Sequence, residues 1–194
     1  MRHSRFRFYA LKLCGIITLV FLVQILFMRF SELFVLDKSS FLQPWRFVSA
    51  IFLHGSLAHL ILNLFALALF GSVLERFIGG RAFLRVFFVS GILANAISIM
   101  FYDSSLGASG AIFGVIGALI VVRPLMVIWA FGLPMPIFLA GLIWAAGDVL
   151  GAYGFLIGNP IDNTGNIAHL SGMAFGFLFG VFYRPRVLRR MRRQ

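Results

Sequence analysis

Apolar runs recur along the whole chain, at about 10–28, 57–75, 82–101, 108–122, 134–150 and 166–183. A helix rises about 1.5 Å per residue, so about 20 apolar residues match the hydrocarbon thickness of a bilayer. Hydrophobic residues make up 61% of the chain and include 24 Phe, more apolar surface than one soluble core of 194 residues can hide. Lipid must be part of the solvent. There the backbone has to satisfy its own polar groups, and helices do this within a single segment. The expected fold class is therefore an all-α membrane protein: one domain over residues 1–194, with six transmembrane helices.

The fifth run is the hardest to bound. Pro124 ends the fourth, and Gly132-Leu133-Pro134-Met135-Pro136 interrupts the apolar stretch after it. Proline suits a helix's first turn, so the fifth span is placed from Pro134, with 125–133 as a turn against the membrane. The alternative is one kinked span from 126 to 148. The N-terminus is basic and then apolar like a signal peptide, but no small-residue cleavage site precedes Arg29-Phe30-Ser31-Glu32. It reads as a retained first span.

Six spans put both termini on one side, and charge orients them. Of the 17 basic residues, all but Arg29, Lys38 and Arg46 then lie on the side of the termini. By the positive-inside rule that side is cytoplasmic, giving a multi-pass protein of the cell membrane. Tails holding Arg2, Arg5, Arg7 and Lys12, and Arg184 to Arg193, suit anionic lipid better than nucleic acid because they flank apolar spans. Cys14 stands alone, which excludes an internal disulfide and a Cys-rich metal site. Neither a cofactor nor a metal is expected.

Polar residues inside such spans are costly and usually functional. Spans two, four and six all start at the outer face, so His59, Asn63, Ser109 and His169 share one depth. Ser109 lies among small neighbours in Gly107-Ala108-Ser109-Gly110. A serine needs a base to become a nucleophile, and His169 can take and return the proton. His59 and Asn63 stand four apart on one helical face, ~6 Å along the axis, and both can donate to an oxyanion. The backbone N–H of Ser109 opens span four, at the positive end of a helix dipole. Gly172, Gly176 and Gly180 recur every four residues and suit close helix packing. In the loop 29–56, Trp45 with Arg46 suits the lipid–water interface, and His54 reads as satisfying backbone carbonyls.

Other chemistries fit less well. Asp103 and Asp148 superficially suit an aspartyl protease, but both fall at the outer span ends, where carboxylates are solvated. His54 and His59 do not form a zinc-protease motif. A transporter would show internal repeats and midplane charge, and neither is evident.

Several segments, taken in order, resemble the rhomboid intramembrane serine proteases. They are Trp45-Arg46, His54 through His59 to Asn63, Gly71-Ser72-Val73-Leu74-Glu75, Gly107-Ala108-Ser109-Gly110 and Ala168-His169-Leu170-Ser171-Gly172. The resemblance covers about residues 44–180. It implies a six-helix bundle and a Ser109–His169 catalytic dyad with no acidic third member. It also implies an oxyanion site from His59, Asn63 and the Ser109 backbone. Structural roles pass to Trp45, Arg46, His54, Glu75, Gly107, Gly110, Gly172 and Gly176. Phe113 takes the place of the ring, often Tyr, that stacks on the catalytic histidine. The family's first loop forms a membrane-embedded hairpin, here within 29–56. Implied partners are the bilayer and single-span membrane proteins cut near the outer face. The alternative is a non-catalytic relative that binds or escorts such clients. Oligomeric state is left open.

Overall fold

A computed structural model describes residues 7–27, 29–161 and 165–192. Arg2, Arg5 and Arg193 of the basic tails, and Asp162, lie outside the described residues.

Helix α1 (Tyr9–Leu26) runs through the first apolar stretch. N–H groups at its start, which have no partner within the helix, are met by a distant carboxylate. Glu75, 1% exposed, accepts from Arg7 N at 3.0 Å and Ala10 N at 3.2 Å. An acid at a helix N-terminus also complements the dipole, so Glu75 ties the first span to the second. The loop after α1 folds into short pieces: α2 (Phe30–Phe34), strand β1 (Leu36–Asp37) and α3 (Arg46–Ser49). Arg46, 7% exposed, binds Asp37 Oδ2 at 2.7 Å and the Val35 carbonyl at 3.2 Å. Donors from Ser39, and then Arg46, hold the Asp37 carboxyl below its usual range.

Ser56 caps α4 (Leu57–Ala66) by accepting from His59 N. One π-helical stretch, Leu67–Gly71, carries α4 into α5 (Ser72–Ile78), giving a continuous span Leu57–Ile78. Gly79, at φ 86°, turns the chain into α6 (Gly80–Ser98). Strand β2 (Ser104–Ser105) pairs antiparallel with β1 and ties the first loop to the approach of α7 (Ser109–Val122). Helix α8 (Ile137–Leu156) and helix α9 (Asn166–Met191) complete the chain. Helices α6, α7 and α9 form the centre, and α7 packs most extensively on α9.

The fold is mostly helical, and five helices are long and apolar enough to cross a membrane. Helix α7 is apolar but shorter, with 14 residues. The six expected spans, the fourth of them (108–122) the shortest, are thus five long helices and one short one among the described residues.

The fifth span needs correcting. Residues 125–133 are neither a simple turn nor part of a kinked helix. Strands β3 (Val127–Ala130) and β4 (Leu133–Pro136) form an antiparallel hairpin. Phe131 at φ 55° and Gly132 at φ 78° make its two-residue turn, the left-handed geometry that matches strand twist. Pro134 and Pro136, which pointed to a helix start, sit instead on an edge strand, where a missing N–H costs nothing. Helix α8 therefore begins at Ile137 and runs to Leu156, six residues past the expected end. That extension moves Asp148 from a span end to the interior of a helix.

Candidate active site

Glycines set the meeting of α7 and α9. A Cβ on Gly172 would collide with the Gly110 carbonyl, and one on Gly176 with the Gly114 carbonyl. In the other direction, a Cβ on Gly110 would lie 3.5 Å from the Ala168 carbonyl, and one on Gly117 3.1 Å from Met173 C. The two helices touch backbone to backbone, which only residues without a side chain permit. Ser109 is the first residue of α7, next to Gly110, and His169 follows Ala168 near the start of α9. The contact thus brings the two helix starts together. Ser109 is half-buried and His169 is 8% exposed. Among the described residues no hydrogen bond joins Ser109 to His169. Catalytic hydrogen bonds are often long before substrate arrives.

The His169 ring has two described contacts. Phe113, one turn into α7, lies flat against it, with centroids 4.2 Å apart and planes at 7°. Asp148 Oδ1 lies 3.0 Å from His169 Nδ1. Asp148 is itself 7% exposed, so it is not the solvated carboxylate expected from the sequence. The expectation that His169 has no acidic partner is corrected by the same contact. Gly151, one turn along α8, explains how the helices come so close: a Cβ there would overlap the Asn166 side chain on α9. The α9 start is also met from the side by Tyr102, whose hydroxyl accepts from Ile167 N at 3.3 Å.

The α4 residues approach the same place. Gly107, at φ 121°, lies against the His59 ring, and a Cβ there would fall 2.6 Å from His59 Cε1. His59 is thereby set beside the turn that leads to Ser109. Asn63 is 6% exposed and its amide donates to the His59 carbonyl at 2.8 Å. In this state Asn63 reaches back along its own helix. Trp45 is 53% exposed.

His54 is buried beside them, its ring 5.0 Å from His59 and its Nδ1 3.3 Å from the Phe52 carbonyl. Gln24 of α1 holds its backbone twice, accepting from His54 N at 3.0 Å and donating to His54 O at 3.3 Å. Burial, and then the neighbouring His59, push the His54 ring down from 6.5 to about 4. An unfolded chain would take up a proton near pH 6.5 that the folded chain refuses until about pH 4. Stability should therefore fall as pH drops through that window, by on the order of 3 kcal/mol. Denaturation midpoints measured from pH 7 to 4 check this, and His54→Gln should flatten the slope. An equal slope in both proteins would refute the assignment.

Gln24 and Asn95 were not singled out in the sequence, although both are polar residues in apolar runs. The Asn95 amide donates to the Phe47 carbonyl at 2.8 Å and pins the first loop to α6.

The helices and their buried polar cluster define a class: a multi-pass helical membrane protein with a serine and a histidine at the adjoined starts of two helices. Residues 42–186 match the model of the rhomboid domain. The chain belongs to the rhomboid family. It is 37% identical over 138 residues to rhomboid protease GluP of Bacillus subtilis, covering 69% of this chain and 25% of that one. It is 33% identical over 140 residues to RHOMBOID-like protein 4 of Arabidopsis thaliana, covering 71% and 34%. With mitochondrial rhomboid protein 1 of Saccharomyces cerevisiae the identity is 30% over 163 residues, covering 76% and 44%. The chain thus spans less than half the length of these three relatives.

Proposed function

We propose that this chain is a serine endopeptidase that cuts transmembrane substrates within the membrane, with Ser109 as nucleophile and His169 as general base and acid. The carrying observation is the backbone-to-backbone contact of α7 and α9, with Ser109 and His169 at its adjoining ends. Membership of a family with named proteases supports the same reading.

In this reading Ser109 Oγ attacks the substrate carbonyl while its proton passes to His169. The oxyanion is met by the Ser109 backbone N–H, by His59 and by Asn63 once its amide turns from the His59 carbonyl. His169 then gives the proton to the leaving amine, and water hydrolyses the acyl-enzyme by the reverse sequence.

All six helices cross the bilayer, both termini lie in the cytoplasm, and the site opens to the extracytoplasmic side of the cell membrane. Part of loop 29–56 dips into the membrane as a hairpin. The length of α7 supports a recessed site. Its 14 residues span about 21 Å against about 30 Å of hydrocarbon, so Ser109 lies below the outer surface. Water can reach it there, and a single-span substrate must unwind locally to present its backbone.

The test is reconstitution of the full chain in proteoliposomes with a panel of single-span proteins and an uncharged fluorophosphonate. Cleavage of at least one of them near its outer end, with labelling of the chain, is expected. Folded protein that neither cleaves nor labels would favour a client-binding relative instead.

A further inference from the structure

We propose that Asp148 is a positioning residue for His169, so that this chain works with a Ser109–His169–Asp148 triad rather than a dyad; this rests on the protease reading above. Three observations converge on it. Asp148 Oδ1 lies 3.0 Å from His169 Nδ1, within hydrogen-bonding distance. A carboxylate only accepts, so the shared hydrogen is the Nδ1–H of the imidazole, and Nε2 is left bare to receive a proton. Second, Phe113 lies parallel to the ring and fixes its plane. A ring held on its face and at one nitrogen has little freedom left, and Nε2 points away from α8.

The third observation is the cost of the arrangement. Asp148 and His169 are 7% and 8% exposed, and Asp148 Oδ2 has no hydrogen-bond partner among the described residues. A carboxylate that served only to join α8 and α9 would be expected to have both oxygens satisfied, since burying an acid is expensive. Here the only described hydrogen bond that Asp148 makes goes to the imidazole. That is the pattern of a group kept for its effect on a histidine: it fixes tautomer and orientation, and it stabilises the imidazolium that forms when Ser109 gives up its proton. The Nδ1 hydrogen stays on His169 and is not passed to Asp148; the proton taken from Ser109 goes on to the leaving amine.

The experiment compares the full-length wild type with Asp148→Asn and Asp148→Glu. The first readout is the ¹⁵N spectrum of the His169 ring at a pH where it is uncharged. The chain has 4 His, so the resonance can be assigned by its loss in His169→Gln. Wild type should carry its proton on Nδ1, and Asp148→Asn should lose that preference. The second readout is turnover in proteoliposomes. Asp148→Asn should lower kcat about 10²–10⁴-fold with KM changed less than about threefold, and Asp148→Glu should restore part of kcat. A role confined to joining helices would change thermal stability and could change the tautomer, but would leave kcat of the folded Asp148→Asn variant unchanged. A wild-type ring protonated on Nε2 overturns the proposal even if Asp148→Asn does not fold. Active wild type with unchanged kcat in folded Asp148→Asn overturns the triad alone, whatever the tautomer does. Wild type inert to substrate and fluorophosphonate overturns the protease reading, and the triad with it.

Discussion

Ser109→Ala should remove substrate cleavage and fluorophosphonate labelling together, while the protein keeps its helical content and thermal midpoint. The expected loss in kcat is about 10⁴–10⁶-fold, the range seen when a nucleophile that acts with a base is deleted. The substitution is mild for the fold. Ser109 is half-buried at the first position of α7, and none of the described hydrogen bonds uses its hydroxyl, so none of these is lost. Alanine is also a good helix former. His169→Ala should cost a similar factor in kcat but more in stability, because it strands the Asp148 carboxylate and removes the ring packed on Phe113. The double variant should be little worse than either single one, since groups that act as a unit are not additive. Single-turnover assays on the three proteins would check this. Substantial cleavage retained in Ser109→Ala would end the assignment of the nucleophile.

Much of this site was legible because the membrane makes polar residues conspicuous. In a chain of apolar runs, Ser109, His59, Asn63 and His169 stand out, and an alternating span direction would put them at one depth before any coordinates are known. Asp148 passed the same filter but was discounted, and the reason is physical. Pro134 and Pro136 imitate a helix start, yet they occupy the second strand of a hairpin whose left-handed turn at Phe131 and Gly132 leaves no hydropathy signal. A start placed three residues early accounts for only part of the six residues missing at the far end of α8; hydropathy alone does not mark where the helix stops, and a span ending at 150 leaves Asp148 at its terminus. The small pairing of β1 with β2, and the bonds from Gln24 to His54, were equally hidden. The strand pairing uses backbone groups alone, and the Gln24 amide meets the backbone of His54, so in each case the partner carries no residue-type signature.

Gly176→Ala is the packing change with the largest expected effect. A Cβ at Gly176 would sit 2.6 Å from Gly114 Cα and closer still to its carbonyl. Those atoms are backbone, at the middle of α7, so relief requires α7 and α9 to move apart. Overpacking a close interface costs about 1–3 kcal/mol, and the rigidity of the obstacle puts this case at the upper end or beyond. Gly147→Ala supplies the matched control, because nothing lies within 4 Å of the added methyl on α8. That change should be neutral or stabilise the helix by up to about 1 kcal/mol through propensity alone. The pair separates geometry from chemistry, since both variants add one methyl to a transmembrane helix. It also bears on catalysis. Separating α7 from α9 moves Ser109 relative to His169 without touching either, and a misplacement of about 1 Å can lower rate ~10²-fold. Denaturation midpoints and kcat should therefore both fall in Gly176→Ala and hold in Gly147→Ala. If the two variants behave alike, the backbone contact between α7 and α9 is not what brings serine and histidine together.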